Sequence, residues 1–256
     1  MILYFSRTGN TKLAAENLAI LMKEKIHNIE QGTPPEISGQ ETLILAAPLY
    51  FWILPGFVMS YLSQNPDLSR KELHVVMTCG GALGAGASLI KRQLNQIGFE
   101  RIFVYPLIMT TNYIPLHRVQ SPDIAAKAIQ SALARLPEIA ENIRQKRSAA
   151  VSPLLEPGLP VAQVIYDSAR RTKHFYATSR CIGCGLCERD CPLGAIQLKK
   201  GSPEWIKPQC TLCLRCLHRC PTGAVEYGRS TIGKERYRPE KFLSKNLQVG
   251  LSQKKD

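Results

Sequence analysis

Eight of the nine cysteines fall between Cys181 and Cys220, in two segments, CIGCGLCERDCP and CTLCLRCLHRCP. Cys181, Cys184, Cys187 and Cys191 follow the spacing C-x2-C-x2-C-x3-C-P, and Cys210, Cys213, Cys216 and Cys220 repeat it 29 residues later. Each proline leads into Gly-Ala and an aliphatic residue, PLGAI and PTGAV, so the segment is an internal duplication. Three thiolates at a pitch of three wrap a loop around one corner of an iron-sulfur cubane, from which the chain cannot easily turn back to supply a fourth. Two 4Fe-4S clusters are therefore expected. Structural zinc would separate two CxxC pairs by about a dozen residues or more, with no use for a third cysteine at the same pitch or for the proline. Disulfides are disfavoured because MILYFSRTGN has neither a basic leader nor a small-residue cleavage site, which makes a reducing, cytoplasmic setting the expectation.

A second group that could do chemistry is SRTGNT. Ser6, Thr8, Asn10 and Thr11 can each donate to an anion, and Gly9 between them allows close backbone approach. The loop sits where a helix would present its unpaired N-H groups, so a phosphate nest fits better than an ordinary cap needing one hydroxyl. Neither GxxxxGK[ST] nor GxGxxG is present, and CGGALGAGA has the wrong spacing, so ATP and NAD(P) are not indicated.

These groups need elements to position them. MILYF reads as a strand, and KLAAENLAILMKEK as a helix with Leu13, Leu18, Leu21 and Met22 on one face. Further strands are expected at 25–30, 42–47, 73–78 and 102–108. Helices are expected at 56–63, 86–97 and 122–146, the last with Ser121 as N-cap and Pro122 at its first position. Five strands with helices between them imply an α/β, doubly wound parallel sheet whose ligand site lies at the carboxyl ends of the strands. The link QGTPPEISGQE is too short and proline-rich for a full crossover helix. The uncharged stretch between Glu41 and Asp67 is punctuated by Pro48, Pro55 and Gly56 and reads as strand, turn and helix, not as a membrane span.

Over residues 1–145 the chain resembles the flavodoxin family, most specifically in SRTGNT, which is similar to that family's FMN phosphate loop. The resemblance implies FMN bound by Ser6, Arg7, Thr8, Gly9, Asn10 and Thr11. It implies that Pro48 and Leu49 lead into a loop on one flavin face, where Tyr50, Phe51 or Trp52 stacks on the isoalloxazine. Cys79, Gly80 and Gly81 would lay backbone along its edge, with glycines where flavodoxins often have a tyrosine. Cys79 reads as a packing or backbone-contact residue, and Tyr113 and His117, after the fifth strand, could reach the flavin rim but read first as a surface loop. Residues 178–228 resemble the bacterial two-cluster ferredoxins, whose rule gives each fourth cysteine to the other cluster. One cluster is then expected on Cys181, Cys184, Cys187 and Cys220, and the other on Cys210, Cys213, Cys216 and Cys191. His218 reads as lying beside a ligand or facing solvent, all eight ligand positions being filled.

The domains expected are 1–147 for the flavin, 148–177 as a linker with a short helix over 161–175, 178–228 for a ferredoxin-like α+β module, and 229–256 as a basic tail. Hydrophobic residues at 45% and charged residues at 21% are ordinary for a folded chain. The net charge of +13 splits into +4 over 1–150 and +9 over 151–256. Two oxidised clusters and an FMN phosphate at about −2 each would lower it to roughly +7. The remainder suits an acidic redox partner protein, and nucleic-acid binding is not required. The whole resembles iron-sulfur flavoprotein oxidoreductases that fuse the two modules, which implies an electron relay between clusters and FMN. The alternatives are a flavin-dependent reductase of a small organic acceptor and a zinc-loaded nucleic-acid-binding module.

Overall fold

A computed structural model describes residues 1–32, 41–81, 86–148 and 158–239. The first part runs β1 (Ile2–Tyr4), α1 (Asn10–Met22), β2 (Ile26–Asn28), β3 (Thr42–Pro48), α2 (Gly56–Gln64), β4 (Glu72–Cys79), α3 (Gly86–Asn95), β5 (Ile102–Ile108), α4 (Pro122–Ala134) and α5 (Leu136–Arg144). All the strands pair in parallel, in the order β2-β1-β3-β4-β5. Successive strand side chains point to opposite faces, so each strand feeds two cores. Leu3, Leu43, Leu45, Val75 and Met77 meet Val58 and Leu62 of α2 and Ile90 and Leu94 of α3. Ile2, Tyr4, Ile44, Ala46, Val76 and Tyr105 meet Leu13 and Leu18 of α1, Ile129 of α4 and Ile139 of α5. Each such Leu, Ile, Val or Met side chain contributes about 1.5–3 kcal/mol when buried, and cover on both faces explains why β1 and β3 read as apolar runs.

Several sequence expectations are corrected. The helix over 122–146 is two helices meeting at Arg135, because Pro137 can donate no hydrogen bond inside a helix but is tolerated in the first turn of α5. Ser121 is the N-cap residue of α4, but its hydroxyl makes no capping bond. The strand expected over 25–30 keeps only β2, and Asn28 then caps a 3-10 turn, Ile29–Gln31, by accepting from the N-H of Glu30 at 3.1 Å. Leu21 is exposed, and Ala14 and Ala15 fill the buried face of α1 in its place. The short crossover lies mostly at 33–40, outside the described residues.

A buried polar network sits at the amino end of β4. The neutral His74 ring donates from Nε2 to Glu72 at 3.0 Å and accepts at Nδ1 from the Tyr105 hydroxyl at 2.8 Å, while Lys146 reaches Glu72 at 3.2 Å. Burial lowers the His74 value; for Glu72 burial alone would raise it, but the hydrogen bonds from His74 and Lys146 outweigh that and leave the carboxyl below its ordinary range. Glu72→Gln is expected to cost about 1–3 kcal/mol near neutral pH, as read by urea unfolding. The sign of the pH dependence follows. The unfolded chain binds a proton on His74 that the folded chain refuses, so stability falls as pH drops below about 6.5, and falls again as pH passes through the lowered Glu72 value. Equal stability near pH 5 and pH 7 would contradict this.

The second part runs α6 (Leu159–Ala169), β6 (Phe175–Ala177), α7 (Leu186–Arg189), β7 (Ile196–Lys199), β8 (Ser202–Trp205), α8 (Arg215–Arg219) and β9 (Val225–Tyr227). β6 pairs with β9, and β7 with β8, both antiparallel. The helix expected over 161–175 starts earlier and stops at Ala169, and Phe175 instead opens a strand. The module's sheet thus begins inside the segment expected to be linker. A third core joins the two parts: Ile53, Leu89 and Ile114 pack with Ala162, Tyr166, Phe175, Leu212, Leu214 and Leu217. It seats the cysteine-rich module against the loops at the carboxyl ends of β3 and β5.

Candidate functional site

A cavity of about 570 Å³ opens at the carboxyl ends of the strands. This is the position expected for a ligand in an open parallel sheet, and the size suits a cofactor. Ser6, Arg7, Thr8, Asn10 and Thr11 line it from the loop into α1, Pro48, Leu49, Tyr50, Phe51 and Trp52 from the loop after β3, and Cys79, Gly80 and Gly81 from the end of β4. Of the flavin-loop residues expected from the sequence, only Gly9 is absent from the lining. Its backbone is at φ 106°, and a Cβ there would lie 2.7 Å from Pro239. Sequence reasoning missed Thr110, Thr111, Asn112, Leu116 and Gln120, although their place after β5 is a strand end of the same kind. Tyr113 and His117, read as a surface loop, also line the cavity, and Tyr113 is half-buried, packing edge-on against Phe51 at 5.5 Å.

The phosphate loop has donors to spare. Ser6 Oγ and the Nε and Nη2 atoms of Arg7 are buried without a hydrogen-bond partner, and no side chain caps the N-terminus of α1. Orphan donors at a helix start suit an anion. Thr11 shares a 2.7 Å hydrogen bond with Thr78. Asn10 lines the cavity with its side chain tied to two other segments: its amide donates to the carbonyl of Thr110 at 3.0 Å and its oxygen accepts from the Tyr237 hydroxyl. The aromatic loop is held by paired backbone bonds between Tyr50 and Ile53, with Phe51 and Trp52 both left-handed, a strained turn that projects its rings.

The cysteines collect into two further, small cavities. One is lined by Cys181, Cys184, Cys187 and Cys220, and the other by Cys191, Cys210, Cys213 and Cys216, with Cys187 on the border of both. Each fourth cysteine thus faces the three of the other motif. The Gly-Ala step after each proline has a use: the N-H of Ala195 donates to Cys191 Sγ and that of Ala224 to Cys220 Sγ, each at 3.2 Å. Such bonds favour a thiolate. Among the described residues no three His, Cys, Asp or Glu side chains close on a point that would hold one ion. Burial and its neighbour Cys213 push the Cys210 thiol up to about 12.

The two copies of the motif differ where they meet the first domain. Gly183 and Gly185 have left-handed backbones, and at the same offsets Leu212 and Leu214 do too. A left-handed leucine costs about 1–2 kcal/mol, yet both leucines are buried in the core between the domains and line the large cavity. Comparing the repeats at that offset would have exposed this signal. Cys213, between them, lines the large cavity as well as its own cysteine cavity. Burial pushes its thiol up and the Arg7 guanidinium, itself held by an ion pair with Glu30, offsets part of the rise. His218 faces neither solvent nor a sulfur cavity: it is buried, and burial lowers its value to about 4, so the ring is neutral. A larger, open depression of about 980 Å³ beside Arg171, Phe175 and Trp205 touches no cysteine and none of the flavin loops.

Residues 1–104 match the family model of the flavodoxin domain, and residues 180–225 match that of the 4Fe-4S dicluster domain. No curated protein matches the chain. Among solved structures, a flavodoxin from the domain Archaea is 14% identical, covering 56% of this chain and 97% of its own, at a TM-score of 0.37. Fusobacterium nucleatum flavodoxin bound to flavin mononucleotide is 17% identical, with 57% and 97% covered and a TM-score of 0.38. Rubredoxin oxygen:oxidoreductase of the anaerobe Desulfovibrio gigas is 18% identical, with 57% and 36% covered and a TM-score of 0.38. Among the described residues no helix is long and apolar enough to cross a membrane. Residues 1–104 thus carry a flavodoxin domain and residues 180–225 a 4Fe-4S dicluster domain on one chain, a pairing that supports an electron-transfer role.

Proposed function

We propose that the chain is a redox relay that carries FMN and two 4Fe-4S clusters. Bound there, clusters supply one-electron steps, and a flavin supplies steps of one or two electrons. Cys181, Cys184, Cys187 and Cys220 would hold the outer cluster, and Cys191, Cys210, Cys213 and Cys216 the inner one. Ser6, Thr11, Arg7 and the first-turn N-H groups of α1 would hold the phosphate, while Tyr50, Phe51 and Trp52 shield the ring. The single observation that carries this reading is Cys213, which lines both the flavin-side cavity and the inner cysteine cavity. Arg7 keeps a fixed positive charge at that junction, and the buried leucines on either side of Cys213 exclude water from it.

The outer site supports the choice of partner. Cys184 is exposed and Ile182 beside it is 67% exposed; Arg180, Arg189, Lys199 and Lys200 are exposed nearby in the chain, with Arg180 paired to Glu226 and Lys199 to Glu204. An acidic redox protein fits that rim, and electron exchange with it should slow steeply as salt is raised from low ionic strength, as read by stopped-flow mixing. The free thiols suit a reducing compartment such as the cytoplasm. A second reading, reduction of a small organic acceptor, is favoured by the rim of the large cavity, where Leu116 is 70% exposed beside His117. Acceptor-dependent reoxidation of the reduced chain would single it out.

The experiment is purification without air, with iron, acid-labile sulfide and flavin quantified. About eight iron, eight sulfide and one FMN per chain are expected. Zinc without sulfide, or a chain that refuses added FMN, would overturn the reading.

A further inference from the structure

The described part of the C-terminal tail crosses back to the phosphate loop and closes a circuit of hydrogen bonds. Thr8 Oγ1 accepts from the Asn112 side-chain amide. The Asn112 carbonyl accepts from His218 Nε2 at 2.8 Å, and His218 Nδ1 accepts from the backbone N-H of Tyr237 at 3.1 Å. The Tyr237 hydroxyl then donates to Asn10 Oδ1, two residues from where the circuit began. Three bodies meet in it: the phosphate loop with the loop after β5, helix α8 between Cys216 and Cys220, and the tail. Asn10, His218 and Tyr237 are all buried, so a member that loses its partner is left unsatisfied away from water. Two more contacts run alongside. Lys234 Nζ donates to the carbonyl of Ile114 at 2.7 Å, and Pro239 stands where a side chain at residue 9 would be.

We propose that residues 229–239 form a strap that links flavin binding to the docking of the cysteine-rich module, with Tyr237 and His218 as its positioning residues. This rests on the assignment of FMN to the large cavity. The circuit is complete only when the phosphate loop and α8 hold their places together. A ligand that orders the loop therefore tightens the strap, and the strap in return tightens the ligand by the same factor. None of the strap residues lines the cavity, so their effect on FMN is indirect.

The test uses the full-length chain carrying its clusters, with and without FMN. In the wild type, FMN should slow amide hydrogen exchange across residues 229–239 by about ten-fold, roughly the worth of one hydrogen bond. Tyr237→Phe, which deletes one hydroxyl, should weaken FMN binding by about five- to ten-fold and abolish that FMN-dependent protection. A merely structural tyrosine would lower the melting temperature equally with and without FMN and leave FMN affinity unchanged, which would overturn the proposal. If the variant does not fold, wild-type exchange decides alone: FMN bound with strap exchange unchanged sinks the strap and spares the flavin site. A wild type that binds no FMN sinks both.

Discussion

Cys220→Ala is expected to halve the iron of the chain prepared without air, from about eight atoms to about four, by removing the cluster of the other motif. The grouping of sulfurs makes the choice of partner testable by combination. Cys220 shares its cavity with Cys181, Cys184 and Cys187, and Cys213 belongs to the cavity that Cys191 completes. Cys220→Ala combined with Cys184→Ala should therefore cost no more iron than either change alone, leaving about four atoms. Cys220→Ala combined with Cys213→Ala should leave almost none. If each motif instead closed on its own cluster, the two double variants would exchange outcomes. Iron and sulfide assays read the result directly.

The second large effect lies at the phosphate loop. Ser6→Asp places a carboxylate where a buried hydroxyl without a partner lines the cavity. Like charges brought together cost several kcal/mol, so FMN should bind about 100-fold more weakly or worse. Riboflavin, which has the same ring and no phosphate, should lose far less. Fluorescence titration of the cluster-bearing chain with both flavins gives the comparison. Equal losses for the two would mean that Ser6 does not face the phosphate.

What the sequence made legible follows from the range of each signal. The cysteine spacing is local and so the two repeats were readable, while their crossed grouping was an implication of the ferredoxin resemblance; the two sulfur cavities bring the same residues together. The apolar runs at β1, β3 and β4 were equally readable, because a strand covered on both faces has no polar side to disguise it. Pro137 was visible as a helix breaker and was passed over within an otherwise regular helical pattern. The anchoring of Asn10 was illegible for a different reason. Its partner Tyr237 lies 227 residues away, and nothing in SRTGNT betrays that its amide is committed elsewhere. Leu212 and Leu214 were unremarked because their meaning shows only beside Gly183 and Gly185 of the first copy. The middle of the glycine-rich loop, at 82–85, the start of the expected linker, at 149–157, and the end of the basic tail, at 240–256, lie outside the described residues.

The central claim is that the flavin cavity and the inner cysteine site are one electronic unit joined at Cys213. It is tested most directly by stopped-flow absorbance, mixing the fully loaded, oxidised chain without air with a one-electron protein donor too large to enter the flavin cavity. The account predicts that flavin colour is lost after cluster colour, at a rate unchanged over a wide range of protein concentration. Flavin reduction that scales with protein concentration, or that proceeds undiminished in Cys213→Ala, would contradict it.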